Sequence, residues 1–154
     1  MHRTNLTGET MTFRFAGLVA ALLAAPALPA MAACGTTTAA SRPAEVIQAQ
    51  VEAYNAHDVE AFAACYADDA SVIDLSGKRP EVKGQAALKQ AFAFLGKVPR
   101  DFGVDIVKRV VNGPVVIDLE HVHGLPPGKH APDSLAVYEV RNGKIARLWF
   151  PPSS

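Results

Sequence analysis

Two hairpin signals in the second half of the chain restrict the folds that it can adopt. Asn-Gly pairs occur at positions 112–113 and 142–143, each between two runs rich in β-branched and aromatic residues. Asn-Gly is the strongest short-range signal for a tight β-hairpin. The predicted strands are Phe102–Val111, Val115–His123, Leu135–Arg141 and Lys144–Phe150. Four consecutive strands joined in this way predict an antiparallel meander and argue against a parallel βαβ sheet.

Helical periodicity comes before these strands. After Pro43, Ile47, Val51 and Tyr54 recur at helical spacing and predict a first helix. Asp58 is a candidate N-cap for a second helix, with its apolar stripe at Val59, Phe62, Ala63 and Tyr66. A short strand, Ser71–Leu75, and a third helix, about Gly84–Leu95, complete the order ααβαββββ. This order predicts an α+β fold in which a strongly bent antiparallel sheet wraps around the helices.

The N-terminal region has the pattern of a secretory signal. Phe15–Leu28 carries no charge, follows Arg3 and Arg14, and precedes small residues. It is short for a membrane span, which needs about 20 residues. A buried N-terminal helix is the alternative, but Pro26 and Pro29 argue against it. We therefore predict that residues 1–33 are a signal peptide and that the protein is exported to the periplasm.

Cys34 has two interpretations, which the sequence leaves open. The segment 31–35, Met-Ala-Ala-Cys-Gly, resembles a bacterial lipoprotein box with Met31 in place of the usual Leu. Lipidation of Cys34 would leave residues 34–42 as a polar tether, and the membrane would be contacted only through the signal or this anchor. Alternatively the protein is soluble, and Cys34 forms a disulfide with Cys65 in the oxidising compartment.

The charge balance excludes several classes of function. The chain has 15 Lys and Arg against 15 Asp and Glu, and its pI is ≈ 7.0. Without Arg3, Glu9 and Arg14, the remainder carries a formal charge of −1. Nucleic-acid affinity requires clustered basic residues, so we expect no nucleic-acid partner. The sequence contains no phosphate-binding loop or dinucleotide fingerprint either, and we expect no cofactor.

Three histidines raise the question of a metal site. His121 and His123 project to the same side of a predicted strand, and His130 follows in a loop rich in Gly and Pro. A zinc site needs a third well-positioned ligand with its own supporting contacts. Because only a loop residue is at hand for that role, we predict no metal.

Several segments together resemble the SnoaL-like branch of the nuclear transport factor 2 superfamily. They are Tyr54–Asp58, Ala67–Asp74, Gly84–Leu88 and Tyr138–Ile145. The resemblance implies a cone-shaped α+β domain over residues 43–154, with a small-molecule pocket between sheet and helices. The superfamily includes ketosteroid isomerase, polyketide cyclases, dehydratases, epoxide hydrolases and binding proteins, so the fold alone does not give the activity.

The same resemblance implies a site. In ketosteroid isomerase-like members the Asp-Asp-Ala-x-Val-x-Asp pattern ends in the general base, and that position here is Asp74. The two oxyanion donors of the isomerase fall at Gln50 and Ala136; since Ala136 cannot donate, the steroid mechanism does not carry over. We expect an apolar pocket to raise the pKa of Asp74. The alternative is an exposed Asp74 that enters the Ser76-Gly77 turn.

The strand 115–123 has two faces that lead to different sites. Composition predicts that the face with Ile117, Leu119 and His121 is buried, which makes His121 a base or proton shuttle. The resemblance instead directs Asp118, Glu120 and Val122 into the pocket, where Glu120 joins Asp74 as a second carboxylate. In that case the aliphatic face meets a second subunit, and the protein is a homodimer through its sheet.

The predicted site therefore holds a small apolar organic molecule. Asp74, Glu120 and His121 are the candidate catalytic residues; the candidate substrate-binding residues are Gln50, Tyr54, Val72, Asp118, Val122, Tyr138 and Leu148. The chemistry expected is cofactor-free acid/base catalysis of the isomerase, cyclase, dehydratase or hydrolase type. The alternative is a non-catalytic ligand-binding or accessory domain.

Overall fold

The computed structural model describes residues 34–153, and the predicted signal peptide lies outside the described residues. The helices are α1 (Pro43–Asn55), α2 (Val59–Ala63) and α3 (Gln85–Phe92), with short 3-10 turns at Cys34–Thr36 and Ala93–Lys97. The strands are β1 (Tyr66–Asp74), β2 (Val82–Lys83), β3 (Gly103–Asn112), β4 (Val115–His123), β5 (Ser134–Arg141) and β6 (Lys144–Phe150). The predicted order is confirmed, apart from the additional two-residue strand β2.

The six strands form one curved sheet in the order β2-β1-β6-β5-β4-β3. All neighbours are antiparallel except β1 and β6, which pair in parallel. The inner face of the sheet packs against the helices, and the shared core is apolar: Val46, Ile47, Phe62, Val116, Ile145 and Leu148 are fully or almost fully buried. Burial of these side chains is the main stabilising term. The predicted α+β architecture, a bent sheet around helices, is confirmed.

Helix α1 begins and ends as its sequence suggests. Pro43 occupies the first turn, where its missing N–H removes no helical hydrogen bond. At the other end, Asn55 donates to the Val104 carbonyl (3.0 Å) and accepts from the Val104 N–H (2.9 Å). His57 donates to the Phe102 carbonyl (2.8 Å). The end of α1 and the residues that follow it are thus hydrogen-bonded to the start of β3. These contacts fix the first helix relative to the sheet.

The second helix is shorter than its apolar stripe suggests. Asp58 caps it as predicted, accepting from the Ala61 N–H at 2.9 Å. The helix ends at Ala63, however, and Tyr66 is the first residue of β1. The Ile145 N–H donates to the Cys65 carbonyl (2.9 Å), and Tyr66 pairs with Ile145. Sheet pairing therefore overrides the helical spacing here, and the extension of this helix to Tyr66 was wrong.

The two predicted hairpin turns differ. Asn142 and Gly143 both have positive φ, 51° and 72°, as the predicted Asn-Gly turn requires. Between β3 and β4 the turn is instead Gly113-Pro114, because Asn112 stays in β3 and pairs with Val115. The turn is thus one residue later than the sequence suggested, which changes which residues face each other across the hairpin.

Residues 34–42 are not a free tether. Cys34 is buried and forms a disulfide with Cys65. Lys144 Nζ donates to the carbonyls of Cys34 (2.9 Å) and Ala64 (2.6 Å), which joins this segment to the start of β6. In this disulfide-bonded form Cys34 has no thiol left for lipidation. The polar tether was predicted for the lipidated form and stays a prediction for that form. No helix within residues 34–153 is long and apolar enough to cross a membrane.

A glycine substitution tests this packing. A Cβ at Gly143 would collide with the Thr38 carbonyl, whereas a Cβ at Gly77, with nearly the same φ (71°), meets nothing. We expect Gly77→Ala to destabilise by about 1 kcal/mol through left-handed strain alone. Gly143→Ala should lose at least about 2 kcal/mol, because the new methyl group also displaces Thr38. Urea unfolding of both variants measures the difference; equal losses would contradict the docked position of residues 34–42.

Candidate functional site

A cavity of about 770 Å³ lies between the inner face of the sheet and the helices. Its volume is within the range of small-molecule sites. Aromatic and aliphatic side chains make up most of its wall: Val51, Tyr54, Phe62, Tyr66, Val72, Phe92, Phe94, Val104, Val122, Leu148 and Phe150. Its polar lining consists of Gln50, Asp74, Ser76, Lys78, Arg79, Glu120, Ser134, Tyr138 and Ser153. A cavity of this volume with a largely aromatic and aliphatic wall suits a small organic ligand.

Most of the residues predicted for the site lie around this cavity. The structure places eight of them in its wall: Gln50, Tyr54, Val72, Asp74, Glu120, Val122, Tyr138 and Leu148. Asp118 and His121 are not among the lining residues. They lie on opposite faces of β4: the Asp118 side chain is buried in an ion pair, and the His121 side chain is exposed on the outer face.

The inner face of β4 is the one that the family resemblance implied. Asp118 is fully buried and Glu120 is 8% exposed, whereas the His121 side chain is 51% exposed on the other face. The orientation predicted from composition was therefore wrong. The prediction from composition assumed that carboxylates are solvated. Buried carboxylates are tolerated when a hydrogen-bond or ionic partner is present, and here Arg109 pairs with Asp118 and Tyr138 with Glu120.

Glu120 is the buried acid of the cavity. Its Oε1 accepts a hydrogen bond from the Tyr138 hydroxyl at 2.9 Å. Burial is the main cause that raises the pKa of Glu120 to about 7, and the Asp118 charge adds to it, while the Tyr138 hydrogen bond and Arg109 oppose it. Near neutral pH this carboxyl is present in both forms. Such a group can accept or deliver a proton without a large energetic penalty.

Asp74 has the opposite character. Its Oδ1 accepts from the Ser76 hydroxyl (2.6 Å) and N–H (2.9 Å), and its Oδ2 contacts Arg79 Nε at 3.0 Å. The hydrogen bonds from Ser76 and Arg79 lower the pKa of Asp74 to about 2. The expected raised pKa is therefore wrong. Asp74 contacts the Ser76-Gly77 turn, as in the alternative, but its side chain is only 9% exposed and lines the cavity, so the exposed position in that alternative is wrong as well.

Asp118 is occupied by an ion pair instead of facing the cavity. Arg109, directly opposite on β3, donates to both carboxylate oxygens at 2.7 Å through Nε and Nη2. Arg109 Nη1 also donates to Gln48 Oε1 (3.1 Å) and the Ala44 carbonyl (3.4 Å) on α1. Asp118 was predicted to bind substrate, but its carboxylate is fully buried in this ion pair and does not line the cavity. Through Arg109 it connects the sheet to the first helix.

The strand histidines are paired with acidic or carbonyl groups outside the cavity. His121 Nδ1 lies 2.8 Å from Asp133 Oδ1, and His123 Nδ1 donates to the Asp101 carbonyl at 2.7 Å. His121 was predicted as a catalytic residue, but its side chain lies on the outer face of β4 and does not line the cavity. Within residues 34–153, no three His, Cys, Asp or Glu side chains are arranged to hold a metal ion.

Three residues of this region were missed by the sequence reasoning. Tyr66 was assigned to the core, yet it lines the cavity. Arg79 links Asp74 to the Phe150 ring, whose centroid lies 5.6 Å from its guanidinium carbon. Arg109 was not singled out from the sequence. The signal for Arg109 was the hairpin register, which places it opposite Asp118 once the turn is set at Gly113-Pro114.

The fold and the cavity together define a small α+β domain whose curved sheet encloses a largely apolar chamber. The family model for the SnoaL-like domain matches residues 47–148, which contain nearly all of this architecture. The chain therefore belongs to the SnoaL-like domain family, as the resemblance implied. No curated protein matches the chain significantly.

Solved structures of similar proteins agree with this assignment. An uncharacterized cystatin-fold protein from Novosphingobium aromaticivorans is 26% identical, covers 71% of this chain and 97% of its own, and gives a TM-score of 0.61. A candidate polyketide cyclase from Sinorhizobium meliloti is 19% identical (71% and 99% covered, TM-score 0.58). A candidate ketosteroid isomerase from Kribbella flavida is 18% identical (73% and 78% covered, TM-score 0.58). Sequence identities of 19% and 18% show only that these two proteins share the fold of this chain.

Proposed function

We propose that the cavity binds a small apolar organic molecule and that Glu120 performs cofactor-free acid/base chemistry on it. The observation that carries this proposal is a buried carboxyl with a pKa of about 7 in the wall of an aromatic cavity. General acid/base catalysis is most effective when the pKa of the group lies near the working pH. The reaction class remains isomerisation, cyclisation, dehydration or hydrolysis.

The surrounding tyrosines support a proton-transfer role for Glu120. Tyr138 donates to it directly, and burial keeps the pKa of Tyr138 well above its ordinary value. Tyr54 lines the same cavity, and burial together with the Glu120 charge raises its pKa to about 12. Both hydroxyls therefore keep their protons at neutral pH, so that Glu120 is the group that titrates. Names of structural neighbours, polyketide cyclase and ketosteroid isomerase, support chemistry of this class.

A carbon acid that needs no specific recognition tests the proposal. In 5-nitrobenzisoxazole, a base removes the ring C–H proton while the N–O bond breaks, giving a coloured cyanophenolate. We expect the protein to accelerate this reaction, with the rate rising through pH 7 as Glu120 becomes the carboxylate. Glu120→Gln should lower the rate by about 10²-fold or more, because the base is gone.

Asp74→Asn is the matched control, because it removes a carboxylate from the same cavity wall. Its pKa near 2 leaves it a weak base, so the rate should change less than about threefold. A Glu120→Gln variant with unchanged rate would contradict the acid/base role. If the probe binds without turnover in the unsubstituted protein, the non-catalytic binding domain becomes the better description.

A second copy of the chain is the partner we propose for the outer face of the sheet. A row of apolar residues crosses five strands, each directly opposite the next: Ile73, Trp149, Val137, Ile117 and Val110. Leu135, 42% exposed, extends the same face beside Leu119. A continuous apolar surface of this kind is typical of an interaction site.

A charge placed on this face should dissociate the dimer. Val110 is 48% exposed, so Val110→Glu adds a charge without burying it in the monomer. We expect Val110→Glu to sediment as a monomer where the unsubstituted protein sediments as a dimer. Leu75→Glu is the control, since Leu75 is 56% exposed and lies beyond the end of β1. Equal sedimentation of all three proteins would contradict dimerisation through this face.

Export to the periplasm as a soluble protein is the location we propose. The Cys34–Cys65 disulfide supports it, because disulfides persist in oxidising compartments. Intact mass of protein recovered from the periplasm tests the proposal. We expect a polypeptide that lacks the N-terminal signal and is lighter than its reduced form by two hydrogen atoms, and a lipidated N-terminal Cys34 would contradict it.

A further inference from the structure

Two polar atoms at the cavity lack a partner. Of the buried side-chain oxygens and nitrogens in residues 34–153, Gln50 Oε1 and the Tyr66 hydroxyl make no hydrogen bond. Both side chains are almost completely buried, and both residues line the cavity. Buried polar atoms are nearly always paired. Two unpaired atoms in the wall of one cavity indicate that a ligand group supplies the missing partners.

The types of these atoms restrict what that group can be. With the Gln50 amide in this orientation, its Oε1 accepts, so a ligand group that pairs it brings a donor. Burial and the Glu120 charge raise the pKa of Tyr66 well above its ordinary value, so its hydroxyl keeps its proton and has that proton to donate. A hydroxyl group both donates and accepts, whereas a ketone or an ether only accepts. A carboxylate likewise only accepts, so it has no donor for Gln50 Oε1.

We propose that the cavity recognises a small alicyclic or aromatic alcohol through its hydroxyl group. The hydroxyl donates to Gln50 Oε1 and accepts from Tyr66, while the hydrocarbon body packs against Tyr54, Phe62 and Phe92. Those three rings are mutual neighbours, with centroids 4.6–6.4 Å apart. The inference rests on the proposed ligand-binding function of the cavity and names the ligand class.

Three probes that share one carbon skeleton test it: tetralin, 2-tetralol and 2-tetralone. Titration of the protein with each, followed by NMR, gives the affinities. We expect 2-tetralol to bind at least about tenfold more tightly than either of the others, because only the alcohol pairs both buried atoms. In Gln50→Leu and in Tyr66→Phe this preference should fall below about threefold, with tetralin binding as well as before or better.

Thermal unfolding without ligand supplies an independent readout. Tyr66→Phe removes a hydroxyl that has no partner, so its melting temperature should equal or exceed that of the unsubstituted protein. Tyr138→Phe is the matched control, because it removes a hydroxyl that donates to Glu120, and it should melt lower. If Tyr66→Phe melts as low as Tyr138→Phe, the Tyr66 hydroxyl has a structural partner and the inference fails.

The binding outcomes separate this inference from the proposed function. Tightest binding of 2-tetralone would show that the site donates only, which contradicts the alcohol assignment. Equal affinity for all three probes would overturn the inference while leaving an apolar ligand site in place. Binding of none of them would contradict both.

Discussion

Removing the guanidinium of Arg109 is expected to be among the most destabilising single changes in this domain. The Asp118 carboxylate is fully buried, and both of its oxygens accept from Arg109, whose side chain is 19% exposed. Arg109→Met leaves that carboxylate buried without its cation, and we expect a loss of about 3–5 kcal/mol at pH 7. Urea unfolding measures this loss.

Two further variants separate the uncompensated charge from lost packing. Replacing both partners, Arg109→Met with Asp118→Val, should recover most of the loss, because no buried charge remains. Arg141→Met on β5 is the matched control. Arg141 also pairs with a carboxylate, that of Glu139, but its side chain is 55% exposed, so we expect the free energy of unfolding to fall by less than about 1 kcal/mol. Equal losses for Arg109→Met and Arg141→Met would contradict the structural role of the buried pair.

Loss of the disulfide is the second large effect expected. Cys34 and Cys65 are 31 positions apart, and closing a loop of that length stabilises a protein by roughly 3–4 kcal/mol in the chain-entropy model. The double variant Cys34→Ala/Cys65→Ala should therefore melt about 10 °C lower than the oxidised protein. Differential scanning calorimetry gives both melting temperatures.

A reductant distinguishes the cross-link from the packing of the two sulfur atoms. Reduced and refolded protein should melt close to the double variant, and the variant itself should not respond to reductant. A protein whose melting temperature is the same before and after reduction would show that the bond does not join residues 34–42 to the domain.

The fold was largely predictable because its determinants are local. The bounds of β4 and β6 were predicted correctly, because an Asn-Gly pair precedes each strand and apolar residues alternate along it. The start of β1 was not: Tyr66 has helical spacing from Phe62, but it pairs in the sheet with Ile145, far along the chain. Strand β2 has two residues, too few for a pattern.

The site was predictable in position but not in chemistry. The resemblance identified the inward face of β4, which composition had misjudged because it does not show that Arg109 and Tyr138 are the partners of Asp118 and Glu120. The pKa of Asp74 depends on Ser76, two residues away, so the turn alternative was readable from the sequence. That Gln50 Oε1 and the Tyr66 hydroxyl are buried without hydrogen-bond partners follows only from three-dimensional packing, and no local pattern predicts it.

The proposed chemistry depends on a Glu120 carboxyl that titrates near neutrality inside the cavity. NMR titration of carboxyl carbons between pH 3 and 9, with Glu120→Gln to assign the signal, measures its pKa directly. We expect a midpoint of about 7 for Glu120, in contrast to about 2 for Asp74. Since a raised acid pKa means that the folded state binds the additional proton, stability conferred by Glu120 should fall as the pH rises from about 4.5 to 7. A Glu120 midpoint near 4.5, the ordinary value for glutamate, would contradict its role as the acid and base of the cavity.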